Sequence, residues 1–314
     1  MADDCQRHAW AGRPRAHTMV RNSVNWASDT GMDNDQAWSA YWAEKGATGN
    51  CLPGAPDHVA ERLANHWREF AATLAKGASC LDLATGSGAV LRLIRAQRSD
   101  LLLAGIDYAE LPESADPDVT LIGRTDMAAL PFDDDSFDAF VSQFGFEYGT
   151  HGEIVAELVR VSRPGSLFQL IMHHRSSPVV AQNRTRAAAL DAIGQSDALV
   201  RAAEGDASGV IAALDPVFDE HGDQPVVAEI AAALRDIAGR SGREAEKDLD
   251  WVASGMARER ALLRHLSESA LDEDSAARIS ALFADSGFIV EHRAPIPGDE
   301  NGPIAWLVNG RRAD

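Results

Sequence analysis

Cysteine is scarce in this chain of 314 residues: Cys5, Cys51 and Cys80 are odd in number, widely spaced and free of any C-x-x-C pair. That argues against a disulfide framework or a cysteine-based zinc site and points to a reducing, cytoplasmic setting. Long hydrophobic runs are missing as well. No stretch approaches the roughly 20 consecutive apolar residues of a membrane-spanning helix, and the N-terminal MADDCQRHAWAGRPRAHTMVRNSVNW lacks the apolar core of a secretory signal. Positive charge is also in short supply, with 29 Lys and Arg against 48 Asp and Glu and a formal charge of -19. A surface of that sign repels phosphate backbones and anionic bilayers, so neither nucleic acid nor membrane is expected as a partner.

What is present suits a globular protein. With 45% hydrophobic and 25% charged residues the chain can bury one sizeable core plus an insertion. Residues 1–32 have no apolar period and read as a flexible leader, with Met32 as an alternative start. Residues 33–76 read as an N-terminal helical lid: DQAWSAYWAEK puts Trp38 and Trp42 four apart on one helix face, either packed on the domain or covering a ligand. A second helix is expected from Asp57 to Lys76, with Val59, Leu63, His66, Phe70 and Leu74 at helical spacing and Gly77 as its stop.

The period then changes. SCLDL, LLLAGID, VTLIGRTD, FDAFVSQFG and SLFQLIMHH are apolar runs separated by helical segments. This alternation predicts an α/β doubly wound, mostly parallel seven-stranded sheet of Rossmann-like type, with FIVEHRAPI and AWLVNGRR as a C-terminal antiparallel hairpin. The sheet domain is expected to comprise 77–176 and 270–314. Between them, 177–269 is Ala-rich and reads as a helical insertion, bounded by Pro178 and the acidic LDEDS. It is either a cap that selects substrate, with Trp251, Met256, Arg258 and Arg260 as lining candidates, or a homodimer interface.

The segment CLDLATGSG ends a strand in a Gly-rich turn that feeds a helix. Such a turn aims backbone N–H groups at a ligand, and Gly86 and Gly88 let the ligand approach closely. Asp107 follows nineteen residues after Gly88, at the end of the next strand, where a carboxylate can accept from two ribose hydroxyls. A nucleoside-containing ligand is implied. A dinucleotide fingerprint would need glycine at position 91, which is Leu91, so a nicotinamide-dependent oxidoreductase is the weaker alternative.

DLATGSG, then GID, then TDMAALPFDDDSFDAFVSQFGFEY resembles the motif series of class I S-adenosylmethionine-dependent methyltransferases, particularly the ubiquinone/menaquinone-biosynthesis-like group with a methyltransferase type 11 domain. The resemblance spans Asp57 to His174 and, less closely, the C-terminal hairpin. It implies that S-adenosylmethionine is the cofactor. Asp82 and the turn Ala84, Thr85, Gly86, Ser87 and Gly88 would face its methionine moiety. Asp107, with Tyr108 after it, would hold the ribose; Asp126 and Met127 would border the adenine. Ser142, Gln143 and Phe144 would border the sulfonium and the methyl acceptor. Ala84 departs from the glycine of many relatives.

Methyl transfer from a sulfonium needs alignment and, for a weak acceptor, removal of a proton. Ligands of open α/β sheets sit beyond the strands' carboxyl ends, so Glu147, Tyr148, His151, His173 and His174 are the acid/base candidates, with His151 and Glu147 foremost, since a histidine in a loop there can titrate near neutrality. His173 and His174 are adjacent on a strand and point to opposite faces, so no shared metal is expected. The activity implied is methylation of a small molecule; a non-catalytic S-adenosylmethionine-binding partner protein is the alternative of another class.

Overall fold

The computed structural model describes residues 34–46, 56–114, 116–300 and 302–314. The leader, Met32, Cys5 and Cys51 lie outside the described residues.

Helices α1 (Asn34–Lys45) and α2 (Asp57–Thr73) precede the sheet. The alternating part runs β1 (Ser79–Leu83), α3 (Ala89–Gln97), β2 (Leu102–Ile106), β3 (Val119–Ile122), β4 (Phe137–Gln143), α4 (His151–Val161) and β5 (Ser162–His173). Five helices follow: α5 (Pro178–Gln195), α6 (Ala198–Ala203), α7 (Ala207–His221), α8 (Pro225–Ala238) and α9 (Arg243–Ser269). Helix α10 (Glu273–Asp285) then leads into β6 (Phe288–Ile296) and β7 (Ala305–Arg312). The seven strands form one sheet in the order β3-β2-β1-β4-β5-β7-β6. The first five pair in parallel, and β7 runs antiparallel between β5 and β6.

Helices cover both faces, which is why the central strands are apolar on both sides. On one face α2 buries Leu63, Trp67 and Phe70 and α3 buries Val90, Leu91 and Ile94, at the three- and four-residue spacing of an amphipathic helix. On the other, α4 buries Ile154, Val155 and Leu158 beside Ile279 and Phe283 of α10. Helix α2 stops at Thr73 rather than running to Lys76, because Leu74 turns extended and dives into the core. The Arg98 guanidinium takes the carbonyls of Ala71 and Leu74 that the missing turn would have used.

The helices of 178–269 have a core of their own, built from Leu190, Leu214, Ile230, Leu234 and Val252 among others. Pro178 sits in the first turn of α5, where its missing N–H costs nothing. Asp272 caps α10 by accepting from the Ser275 N–H at 2.9 Å. Arg186 to Glu259 at 2.5 Å and Arg264 to Asp191 at 3.1 Å tie α5 to α9. Among the described residues no helix is long and apolar enough to cross a membrane.

Candidate functional site

The turn after β1 is held by its own strand neighbours. Thr85 N–H donates to the Ile106 carbonyl at 2.9 Å, and the Thr85 hydroxyl donates to Asp82 Oδ2 at 2.6 Å. Ala84 adopts φ +51 and Gly86 φ +53, the left-handed region that costs an L side chain about 1–2 kcal/mol. Ala84 bears that strain; Gly86 avoids it. Asp107, at the end of β2, accepts from Gly86 N–H at 2.8 Å and from Ala109 N–H at 2.9 Å. Those two bonds leave lone pairs on both oxygens for further donors. Thr125 N–H donates to the Asp107 carbonyl at 2.9 Å, which brings Asp126 and Met127 to the same end of the sheet. Asp126 is exposed and caps its own turn through Ala128 N–H at 2.9 Å, Met127 is half-buried, and Tyr108 is 60% exposed.

Asp82 is buried, and its Oδ1 has no hydrogen-bond partner. Burial, opposed by the Thr85 hydroxyl and aided by the Asp107 charge, lifts its carboxyl to about 7. Burial also raises Asp107, against the two N–H groups that favour its charge. The unfolded chain releases the Asp82 proton near pH 4, whereas the folded chain keeps it until about pH 7. Stability from this group is therefore fully present below pH 4 and falls as pH rises through that window, by at most roughly 1.4 kcal/mol per unit. Asp82→Asn is expected to flatten this part of the profile in thermal melts taken across that range. Parallel profiles for the two proteins would remove the assignment.

Beyond β4, Ser142 Oγ donates to the Leu83 carbonyl at 2.9 Å and accepts from Phe146 N–H at 3.0 Å, locking the exit of β4 against β1. Gln143 Oε1 accepts from Trp67 Nε1 at 2.6 Å. Phe144 sits at φ +57, an outlier for an aromatic residue, and such strain gathers at functional sites. Its ring lies 4.3 Å from that of His173 across the neighbouring strand. A Cβ on Gly145 would stand 2.3 Å from Ala84 Cβ, so glycine there lets the loops after β1 and β4 touch.

The short 3-10 turn Phe146–Tyr148 carries Glu147, whose buried carboxylate accepts from His173 N–H at 2.8 Å and lies 2.7 Å from His173 Nδ1. His151 is not a loop residue: it is the first residue of α4, stacked on Phe146 with ring centroids 5.2 Å apart. Its Nε2 is buried without a partner, and burial pushes its pKa down, away from the neutral range expected of an exposed loop histidine. Tyr148 contacts Trp38 of α1 at 5.9 Å, His173 at 6.0 Å and His265 of α9 at 4.6 Å, all between ring centroids. His174 turns away and stacks on Trp306. A cavity of about 370 Å³ opens beside Glu147 and His151, between the end of α9 and α10.

One contribution escaped the sequence. The insertion reaches this cluster through His265, whereas Met256 is buried in the insertion's own core, Trp251 packs on that core, and Arg260 faces Asp191 at 3.4 Å. No periodic signal distinguishes His265 from any other helical histidine. Helix α1 lies over the glycine turn: a Cβ on Gly86 would stand 2.2 Å from the Trp42 ring. Trp38, one turn earlier and 6.4 Å from Trp42 between ring centroids, leans on Tyr148.

Residues 81–170 match the family model described as methyltransferase domain. Over 111 residues the chain is 36% identical to a demethylmenaquinone methyltransferase of Roseiflexus castenholzii, covering 32% of this chain and 45% of that protein. A demethylmenaquinone methyltransferase of Roseiflexus sp. is 34% identical over 116 residues, 33% of this chain and 48% of its own length. The chain thus spans just under half the length of the curated relatives it matches. A SAM-dependent methyltransferase structure from Aquifex aeolicus has a TM-score of 0.41 and 11% identity, over 81% of this chain and 89% of that one.

Proposed function

We propose that this chain binds S-adenosylmethionine at the carboxyl ends of β1, β2 and β4 and transfers its methyl group to a small-molecule acceptor. The observation that carries the reading is the meeting of the glycine turn with Asp107, through Gly86 N–H at 2.8 Å, inside a segment that matches a methyltransferase domain. The residues fit the cofactor. Asp82 Oδ1 is a buried acceptor without a partner, suited to the amino group of a methionine moiety, and Gly86 lacks a Cβ, so the Trp42 ring lies directly on the turn where the cofactor would take its place. Ala84, Thr85, Ser87 and Gly88 would complete that cradle. Asp107 would hold ribose hydroxyls, Asp126 and Met127 would border the adenine, and Ser142, Gln143 and Phe144 would face the sulfonium. When bound, S-adenosylmethionine supplies an electrophilic methyl group.

The protein's own share is alignment and exclusion of water. The Trp42 ring rests on Gly86, so a ligand approaching that turn would displace it, which supports reading α1 as the lid. Glu147 and His151 are the groups proposed to handle the acceptor proton or hold the acceptor. Similarity of the domain to demethylmenaquinone methyltransferases supports a small organic acceptor over a macromolecule. The surplus of acidic side chains agrees with that choice.

The test is calorimetry with S-adenosylmethionine, S-adenosylhomocysteine and NAD, followed by transfer of labelled methyl across a metabolite panel. Binding of the first two without NAD, together with labelling of a small molecule, is expected. Binding of NAD alone overturns the reading, and cofactor binding with no labelled product across the panel favours a non-catalytic partner protein.

A further inference from the structure

The cavity of about 370 Å³ between the end of α9 and α10 shares no lining residue with the glycine turn or with Asp107. Its size suits a small ligand, since such pockets run from about 300 to 1,000 Å³. The wall divides by chemistry. Buried Glu147 and half-buried His151 form its inner side, and each holds an atom without a hydrogen-bond partner, Oε2 of the carboxylate and Nε2 of the ring. Arg175, Glu268 and Arg278 stand exposed at its mouth.

Native folds leave few buried polar atoms unpaired, and a carboxylate is among the costliest to leave so. The Glu147 side chain is wholly inaccessible. The His173 backbone N–H at 2.8 Å and His173 Nδ1 at 2.7 Å both meet its Oε1, whereas Oε2 takes nothing. A cationic donor at Oε2 would complete the carboxylate and answer its charge. His151, which burial keeps uncharged, can accept a further N–H of the same group. An ammonium carries three such donors.

The mouth has the opposite sign to offer. Arg278 donates from Nη2 to Ser275 Oγ at 2.7 Å, and Arg175 donates to Asp272 at 2.8 Å and to the Ala270 carbonyl at 3.2 Å. A guanidinium has five N–H groups, so both arginines keep donors for a carboxylate brought by a ligand. Glu268 opposes that carboxylate, but it stands in water, where salt screens its charge. Leu271, Ile279 and Leu282 supply the apolar part of the lining.

We infer that this cavity binds a small zwitterion, an α-amino acid with an apolar side chain, holding its ammonium at Glu147 Oε2 and His151 Nε2 and its carboxylate at Arg278 and Arg175. An amine alone leaves the guanidinium groups unanswered, and a carboxylate alone meets the Glu147 charge. The inference concerns binding at this cavity and does not depend on methyl transfer.

The probes are L-phenylalanine and L-leucine, each with the analogue that lacks the amine (3-phenylpropionate, 4-methylpentanoate) and the one that lacks the carboxylate (phenethylamine, 3-methylbutylamine). Calorimetry on the full chain is run with and without saturating S-adenosylhomocysteine, because the methionine end of that molecule is itself a zwitterion. At least one amino acid is expected to bind, equally well in both conditions, with its two analogues weaker by roughly tenfold or more, as the loss of one charge-assisted contact requires. Arg278→Gln, at an exposed position, is expected to weaken the amino acid by a similar factor and to leave the amine analogue unchanged. Glu147→Gln should do the reverse, weakening the amino acid and the amine while sparing the carboxylate analogue. Should Glu147→Gln fail to fold, the analogues and Arg278→Gln decide. No binding by either amino acid, analogues as tight as their parent, affinity untouched by Arg278→Gln, or displacement by S-adenosylhomocysteine overturns the inference. A chain that binds an amino acid but no S-adenosylhomocysteine would instead sink the methyltransferase reading and leave this site standing.

Discussion

Asp107→Ala is expected to weaken S-adenosylmethionine binding about tenfold to 150-fold, roughly 1.5–3 kcal/mol, as lost charge-assisted hydrogen bonds require. The substitution acts twice. It removes the acceptor proposed for the ribose hydroxyls, and it releases the Gly86 and Ala109 N–H groups that the carboxylate holds at 2.8 and 2.9 Å. Asp107→Asn separates the two effects, since its amide oxygen can still take one N–H while the charge is gone. Calorimetry on both variants reads the outcome. Affinity unchanged in Asp107→Ala would take the ribose role from this residue.

Trp67→Ala is expected to cost about 3–5 kcal/mol of stability, the range for emptying a fully buried aromatic position. Trp67 is wholly inaccessible, stands edge-on to Phe70 at 6.5 Å between ring centroids, and donates from Nε1 to Gln143 at 2.6 Å. Trp67→Phe keeps most of the packing and loses the donor, so its loss should be nearer 1 kcal/mol for the hydrogen bond plus the smaller ring. Urea unfolding, read as a shift of midpoint at constant slope, measures both. Equal losses in the two variants would show that the bond to Gln143, not the ring's volume, is what the core depends on.

The parts of the fold that were legible are those decided over a few residues. The apolar run of β1, its glycine-bearing exit and the amphipathic α3 announce themselves because strand period, turn chemistry and helix period are local properties. Pro178 and Asp272 mark helix starts for the same reason. Helix α2 ends about a turn before its apolar spacing predicts, since Leu74 leaves the helix for a core and an Arg98 contact 24 residues downstream. His151, expected in a loop, opens α4 and stacks on Phe146. Nothing near it in the chain signals that burial.

Composition, strand alternation and the ordered motifs from Asp82 to Phe144 determined by themselves a doubly wound sheet with a glycine-bearing turn after the first strand and an acid at the end of the second. What only the tertiary structure decided is which distant groups meet. Glu147 reaches His173 because β5 lies beside β4, Trp42 covers Gly86 because α1 crosses the sheet's end, and His265 arrives from the far end of the insertion. Local preferences have the range of a turn or a strand; these meetings depend on the order in which strands pair and on buried area shared between elements remote in sequence.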